Sequence, residues 1–354
     1  MVLINGYALY KVNYSRTYVI NGKSFDFSVS AKIKGKKEPE EPKPEEPKPE
    51  EEKTKTEFLN GTDRYDTSIK ISKNGFYSAD NVVLVNDSSL PDALSVTPYA
   101  KVKNAPILLT KSNELNTKTR NEIERLNAKN IYIIGGENSV NKSVEKELMD
   151  IGYRVERISG EDRYITSLNI AKELNKYINI KEAVVVNGSK GIPDAVSVAG
   201  ISAQKGMPVL LTSETDNMNN ITSFINTTGV SKNYIVGGTN LFPTDISKKI
   251  PSPVNIYGSD RNETNTKVIN NFYTQSELNN TYVCKNGMLR QDDLIDALSV
   301  GVLSAKNQSP VMLVGNSLYS SQNKLVKNKK IKVITQVGGD GNENAFNELK
   351  YLLK

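Results

Sequence analysis

The chain has 354 residues, of which 37% are hydrophobic and 24% charged, with a formal net charge of +6. It contains no histidine and a single cysteine, Cys284, which excludes Ser-His-Asp and Cys-His nucleophiles, imidazole metal sites and an internal disulfide. We therefore expect no metal and no cofactor, and we expect Cys284, in the strand-like run TYVCKNG, to be a small buried hydrophobe.

Charge and hydropathy also narrow the choice of partners. No apolar run approaches the roughly 20 residues of a membrane span. The basic residues form no stripe of the kind that nucleic-acid-binding domains carry, and the densest group, within Lys327–Lys332, is typical of a solvated helix end. The sequence thus predicts no nucleic-acid partner and no membrane span, while it permits an anionic ligand.

Residues 1–36 are predicted to be β-rich. Apolar and polar residues alternate from Phe25 to Ile33, as in a half-buried strand, and Asn21-Gly22 predicts a two-residue hairpin turn. So short a segment cannot bury an adequate core alone, and its first residues lack the features of a signal peptide. We expect it to be the end of an upstream β-domain, in a chain that is a fragment or the product of a shortened reading frame.

Residues 37–57 are dominated by proline, glutamate and lysine. Proline removes hydrogen-bond donors and favours polyproline II, so this segment is predicted to be an extended, solvated linker. Beyond it the sequence repeats with a period near 100 residues. The predicted repeats are 58–155, 156–254 and 255–354.

Helices and strands alternate within the first repeat. The predicted order is a helix from Thr62 or Asp63, strand Asn81–Asn86, a helix opened by Pro91-Asp92, strand Pro106–Thr110, helix Asn116–Asn127, strand Ile131–Ile134, helix Ser139–Asp150 and strand Tyr153–Ile158. Strands joined by helices of this length pair in parallel through right-handed crossovers. The predicted fold class is therefore α/β, with three repeated small parallel-sheet units and flanking helices, preceded by a short β-rich segment.

Three signatures recur in register in the three repeats. They are GTDRYDTS, GEDRYITS and GSDRNETN; then PDALSV, PDAVSV and IDALSV; then IYIIGGEN, YIVGGTN and VITQVGGDG. The arginines of the first signature are 99 and 98 residues apart, and the aspartates of the second are 102 apart. The candidate ligand-binding residues at these positions are Arg64, Asp92, Arg163, Asp194, Arg261, Asp296, Gly135, Gly136, Gly237 and Gly238.

Each type of candidate residue has a structural and a functional interpretation. The arginines could bind a carboxylate or phosphate of a ligand, or form internal ion pairs with Asp63 and its equivalents or with the aspartate of PDA. The aspartates are interpreted as helix-start residues, because acids on separate units do not form the close carboxylate pair of a glycosidase. The Gly-Gly pairs fit a tight turn, or a phosphate cradle that lacks the usual fingerprint residues.

These signatures resemble the cell wall binding repeat 2 family of clostridial surface-layer-associated proteins. The resemblance covers about Phe58 to Lys354 and rests on the G-x-D-R-Y start, the PDA core, the A-P-I-L-L strand and the Gly-Gly turn. It implies three repeats around a pseudo-threefold axis that attach non-covalently to an anionic secondary polymer of a Gram-positive wall. It also implies a secreted protein of the cell wall or cell surface, with other surface-layer proteins as further partners.

The third repeat departs from the pattern at three positions. Asn262 replaces the tyrosine of DRY, Ile295 replaces the proline before DA, and Gln336 interrupts the apolar strand before Gly-Gly. These changes remove an aromatic side chain and rigidity at a helix start. If the repeats bind separately, we expect the third to bind least well.

The leading hypothesis is a non-enzymatic wall anchor, in which three α/β repeats bind an anionic wall glycopolymer. Weak contacts repeated on one scaffold would give durable retention. Two alternatives remain open at this point. One is a nucleotide- or sugar-handling α/β enzyme that uses the Gly-Gly turns, and the other is an adhesin or protein-binding surface module with the repeats as scaffold.

Overall fold

The structure, a computed structural model, divides into two compact units, residues 1–51 and 52–354. The residues it describes are 3–4, 7–36, 53–213, 218–242 and 246–354. Of the predicted linker 37–57, residues 37–52 therefore lie outside the described residues.

The first unit is an antiparallel sheet. Its strands are β1 (Leu3–Ile4), β2 (Tyr7–Ile20) and β3 (Lys23–Lys36). The predicted hairpin is confirmed, because Asn21 and Gly22 adopt the positive φ angles, 51° and 75°, that a two-residue turn needs. The predicted half-burial is wrong: Phe27 is 58% exposed, since no described segment of this unit covers the apolar face.

Each repeat of the second unit contains a four-stranded parallel sheet, as predicted. The strand orders are β6-β5-β7-β8, β10-β9-β11-β12 and β15-β14-β17-β4. The strands are β4 (Lys55–Leu59), β5 (Asn81–Asn86), β6 (Ile107–Thr110), β7 (Asn130–Ile134), β8 (Arg154–Ile158), β9 (Glu182–Asn187), β10 (Val209–Thr212), β11 (Lys232–Val236), β12 (Pro253–Ile256), β13 (Glu277–Leu278), β14 (Thr281–Lys285), β15 (Val311–Val314), β16 (Lys330–Ile331) and β17 (Val333–Val337). The short strands β13 and β16 pair separately.

Helices connect these strands and cover the sheets. They are α1 (Arg64–Gly75), α2 (Leu90–Ala93), α3 (Thr97–Val102), α4 (Thr117–Arg125), α5 (Lys142–Ile151), α6 (Arg163–Asn175), α7 (Ile192–Lys205), α8 (Met218–Thr228), α9 (Ile246–Lys249), α10 (Arg261–Phe272), α11 (Ile295–Lys306), α12 (Ser320–Lys327) and α13 (Glu343–Leu352). The central strands β5, β9 and β14 are almost entirely buried, which explains their continuous apolar sequences.

The first repeat differs from the others at the helix that follows its central strand. In repeats two and three this helix is continuous, as α7 and α11. In repeat one the sequence predicts one helix from Pro91-Asp92, but the structure has two short ones, α2 and α3. Pro98 in the first turn of α3 lacks the backbone N–H that a continuous helix would need there.

The three central helices pack together around the pseudo-threefold axis. α3, α7 and α11 contact one another, and each repeat's first helix packs on the central helix of the preceding repeat: α6 on α3, α10 on α7, and α1 on α11. Small residues permit the close approach. A Cβ atom at Gly200 would lie 2.3 Å from Ser304 Oγ, and one at Gly301 would lie 2.7 Å from Thr97 Cγ2.

The third sheet receives its last strand from the beginning of the unit. β4 pairs in parallel with β17, from Lys55 opposite Val333 to Leu59 opposite Val337. Because of this pairing, β4 starts inside the range predicted as linker. The backbone N–H of Gly338 donates to the carbonyl of Leu59 at 3.2 Å. The strand therefore closes the three repeats into a ring.

Strand β14 also contains the single cysteine. Cys284 is fully buried, so its prediction as a core residue is confirmed. Burial raises the pKa of its thiol well above the ordinary value, which keeps the thiol protonated and unreactive.

Candidate functional site

The G-x-D-R signature builds a helix start in each repeat. The aspartate is the N-cap: Asp63 accepts from the N–H of Asp66 at 2.8 Å, and Asp162 and Asp260 do the same in their repeats. The glycine of the signature leaves no room for a side chain, because a Cβ atom at Gly61 would lie 2.2 Å from the backbone nitrogen of Thr67. The sequence had left Thr62 and Asp63 open as caps, and the structure assigns Asp63.

The arginine that follows each cap is held in the same way in the three repeats. Its Nη1 donates to the carbonyl of the residue after the central strand: Arg64 to Asp87, Arg163 to Gly188 at 3.1 Å and Arg261 to Asn286 at 3.1 Å. The predicted internal ion pair of Arg64 with Asp63 is wrong. Asp63 pairs instead with Lys118 at 2.9 Å, because the capping geometry turns its carboxylate toward helix α4.

The aspartates of PDA face the arginine of the next repeat around the ring. The charge of Arg163 acts on Asp92, that of Arg261 on Asp194 and that of Arg64 on Asp296. Among the described residues, none of these three arginine–aspartate pairs forms a close ion pair. Each boundary between repeats therefore brings together two residues that the sequence places about 70 positions or more apart.

Burial is the main electrostatic influence on these aspartates. It raises the pKa of Asp194 to about 7, against the attraction of Arg261. It raises the pKa of Asp296 to about 6, against the charges of Lys285 and Arg64. It also raises the pKa of Asp92 above the ordinary value. Asp194 therefore carries less negative charge near neutral pH than an ordinary carboxylate does.

The two glycines of each Gly-Gly turn have different environments. The first needs the left-handed backbone: φ is 100° at Gly135 and 123° at Gly237. A Cβ atom at either would also lie within 2.9 Å of the PDA carboxylate, on Asp92 or Asp194. These contacts explain the first glycine by local structure, whereas Gly238, the second glycine of repeat two, lines the space between repeats two and three.

Two boundaries between repeats open into clefts. The cleft between repeats three and one has a volume of about 350 Å³, and the cleft between repeats two and three has about 240 Å³. Both lie beyond the carboxyl ends of the strands, between the first and third strands of a 2-1-3-4 sheet. This is the switch point at which open α/β sheets bind ligands. The arginine at the next helix start forms the opposite wall.

The departures of repeat three are compensated by its own contacts. Asn262, in place of tyrosine, is fully buried and accepts from the amide of Asn286 at 2.9 Å. In repeat one the equivalent residues are Tyr65 and Asp87, whose side chains are also hydrogen-bonded. Gln336 donates to the buried amide oxygen of Asn342 at 2.8 Å. The polar substitutions therefore belong to a hydrogen-bonded network, in which the buried amide nitrogen of Asn262 is the atom without a partner among the described residues.

Sequence reasoning missed a buried charge cluster in repeat three. Lys285 ends strand β14, where the other repeats have asparagine, and its ammonium lies 3.2 Å from Asp293 and 3.9 Å from Asp296. Arg290 pairs with Asp293 at 2.9 Å, and Arg64 pairs with Asp292 at 2.7 Å. The sequence did indicate this difference, because the segment between Asn286-Gly287 and Ile295-Asp296-Ala297 is longer than the equivalent segments of the other repeats.

Within the described ranges, no group of three or more histidine, cysteine, aspartate or glutamate side chains is arranged to hold a metal ion. None of the helices in these ranges is long and apolar enough to cross a membrane.

Comparison with curated proteins finds an amidase and an amidase enhancer among the relatives of this chain. N-acetylmuramoyl-L-alanine amidase LytC of Bacillus subtilis is 30% identical over 280 residues, which are 79% of this chain and 54% of LytC. The amidase enhancer of the same organism is 32% identical over 294 residues, 82% of this chain and 39% of the enhancer. The chain thus spans about half or less of the length of these relatives.

Comparison with solved structures finds two proteins of Clostridium difficile, Cwp6 and Cwp8. Cwp6 has a TM-score of 0.79 and 28% identity over 85% of this chain and 48% of Cwp6. Cwp8 has a TM-score of 0.79 and 29% identity over 99% of this chain and 64% of Cwp8. The sequence model described as cell wall binding domain 2 (CWB2) matches residues 59–145, 157–247 and 255–344. Since these matches cover well over half of the sequence, the chain belongs to the cell wall binding domain 2 family and carries three copies of its domain.

Proposed function

We propose that the ring of three repeats anchors a surface protein non-covalently by binding an anionic secondary polymer of the wall in the clefts between repeats. The observation that carries this proposal is the recurrence of one arrangement around the ring. At each boundary an arginine at a helix start faces the PDA aspartate and the Gly-Gly turn of the preceding repeat. A single catalytic centre would not require this repetition.

The chemistry of the boundary suits an anion. The guanidinium is fixed by its bond to a carbonyl and offers further N–H donors to a phosphate or carboxylate. The helix N-terminus adds a positive dipole end. The raised pKa of Asp194, about 7, weakens the competing negative charge in the cleft between repeats two and three.

The repetition explains how weak contacts could hold a protein on the wall. After one cleft has bound, the rest of the polymer is present at high effective concentration, so avidity exceeds the affinity of a single cleft. We propose that residues 58–155, 156–254 and 255–354 are the three repeats of this anchor. Residues 37–57 would link the anchor to residues 1–36, which belong to a separate module. We also propose other surface-layer proteins as further partners of this protein.

The amidase activity in the name of LytC is not part of this proposal, because the chain spans 54% of that protein. The matched family model describes a binding domain. An anchor shared by proteins of different activities accounts for the similarity to both LytC and the amidase enhancer.

The proposal is tested by sedimentation of the chain with purified Gram-positive walls. We expect it to pellet with walls that retain their secondary polymer and to stay in solution with walls stripped of that polymer. Arg163→Ala and Arg261→Ala should each weaken pelleting by about tenfold or more, the usual value of a hydrogen bond to a charged group. Arg120→Ala is the matched control, since Arg120 is an exposed arginine outside the clefts. Equal pelleting with intact and stripped walls would refute the proposal.

A further inference from the structure

The segment between the central strand and the central helix is longest in repeat three. It spans residues 87–89 in repeat one, 188–191 in repeat two and 286–294 in repeat three. The extra residues form the loop that ends in the 3-10 turn Gln291–Leu294. This loop lies along the cleft between repeats three and one, and contributes Arg290, Asp292 and Asp293 to it.

One residue of this loop reaches across the boundary. Asp292 Oδ2 accepts from Nη2 of Arg64 at 2.7 Å. Nη1 of the same arginine is bound to a carbonyl, as in the other two repeats. In the part of the chain that the structure describes, no carboxylate forms an equivalent ion pair with Arg163 or Arg261. The three guanidinium groups are thus held alike, and one of them already has an anion bound.

We propose that Asp292 is an internal substitute for the ligand's anionic group, an inference that rests on the proposed function of the clefts. Asp292 closes the cleft between repeats three and one to anions. It also marks the position that a phosphate or carboxylate oxygen takes at Arg163 and Arg261, against Nη2. The ring therefore binds an anionic polymer at two of its three boundaries, those of Arg163 and Arg261.

The charges around Arg64 support this division. The cleft between repeats three and one is lined by more acidic than basic side chains: Asp63, Asp87, Asp292, Asp293, Asp296 and Asp340 against Arg64, Lys285 and Arg290. The cleft between repeats two and three is balanced, with Asp194 and Asp260 against Lys190 and Arg261. A polyanion would have to displace a carboxylate tethered in the same chain and then enter an acidic cleft.

The charge of Lys285 is also already compensated. Its ammonium lies between Asp293 and Asp296, and its side chain is 12% exposed. Arg64 holds the pKa of the Asp292 carboxyl below its ordinary value, so Asp292 stays ionised at neutral pH. Arg290 pairs with Asp293 at 2.9 Å, so each of the three cations that line this cleft already has a carboxylate partner.

The test uses the full chain with inorganic phosphate as the probe and follows the arginine Nε–Hε signals by NMR at about pH 7. The three signals are assigned with Arg64→Lys, Arg163→Lys and Arg261→Lys. We expect phosphate to shift the signals of Arg163 and Arg261 but not that of Arg64. In Asp292→Asn, the signal of Arg64 should shift as well. Asp340→Asn is the matched control, because it removes one exposed negative charge from the same cleft without freeing Arg64.

Three outcomes would overturn the inference. A shift of all three signals in the unmodified chain would show that Asp292 does not close its cleft, and would leave the proposed anion binding standing. An equal response of Arg64 in Asp340→Asn and Asp292→Asn would assign the effect to net charge alone. An absence of any response in the unmodified chain and in Asp292→Asn would reject the anion sites themselves, and the proposed function with them.

Wall sedimentation gives an independent readout. Arg64→Ala should change wall affinity by less than about twofold, whereas Arg163→Ala and Arg261→Ala should lower it by about tenfold or more. Asp292→Asn should raise it. Equal losses from the three arginine variants would contradict the division into two open boundaries and one closed boundary.

Discussion

The buried carboxyl of Asp194 makes a prediction about stability and pH. Its side chain is 6% exposed, and burial raises its pKa to about 7 from an ordinary value of 3.8. Between these two pH values the folded chain holds a proton that the unfolded chain has released. Because the folded state then binds more protons, the free energy of unfolding falls as pH rises through this window.

The size of the effect follows from the same two values. A pKa of about 7 against 3.8 corresponds to about 4 kcal/mol of destabilisation once both states are ionised. Asp194→Asn removes this proton equilibrium and keeps the shape of the side chain. We expect the variant to gain up to about 4 kcal/mol over the unmodified chain at about pH 8, and to gain little at about pH 4.

The measurement is urea unfolding of both chains at several pH values between these limits. The diagnostic quantity is the change of their difference with pH, since any altered hydrogen bond of the new amide adds a constant. Asp150→Asn, which removes an exposed carboxylate at a helix end, is the control and should show far less dependence on pH. A difference between Asp194→Asn and the unmodified chain that stays constant from about pH 4 to about pH 8 would refute the reasoning.

Three further predictions concern the turn, the charge cluster and the ring closure. Gly135→Ala should cost about 1–3 kcal/mol in chemical unfolding, because φ is 100° there, whereas Gly136→Ala should stay within about 0.5 kcal/mol, since nothing lies within 4 Å of its added Cβ. Lys285→Met should cost about 3 kcal/mol at neutral pH by removing the buried cation that lies between the Asp293 and Asp296 carboxylates, and less in acid; an equal loss at both pH values would contradict this. A chain that begins at residue 60 lacks β4, so it should unfold at lower urea concentration than one that begins at residue 53, and its exposed β17 edge should promote association in size-exclusion chromatography.

Much of the fold could be predicted because it depends on local patterns. Continuous apolar runs such as Asn81–Asn86 become buried strands, and their alternation with helices fixes parallel pairing. The glycines and N-caps of the G-x-D-R signature act within one helical turn, so their geometry is contained in a few residues. The break of the helix at Pro98 had a local signal too, a proline inside a helical pattern, and could have been predicted.

The contacts between repeats could not be predicted in the same way. The pairing of β4 with β17 joins residues at opposite ends of the unit, and short polar-flanked strands give no sign of a distant partner. One indication was present, because Leu59 precedes the first G-x-D-R as Ile158 and Ile256 precede the others. The Arg64–Asp292 pair was hidden for the same reason, since neither residue identifies its partner until the ring is closed.

Strand β4 also limits how the number of repeats in such a ring can change during evolution. Open solenoids gain and lose copies, because a new repeat stacks on a free end. Here the third sheet is completed by Lys55–Leu59, so a fourth repeat would have to displace that strand from β17. The number of boundaries is thus fixed by topology. We expect wall affinity in such a ring to be adjusted by altering individual boundaries, and a single loop carrying one aspartate is enough to do so.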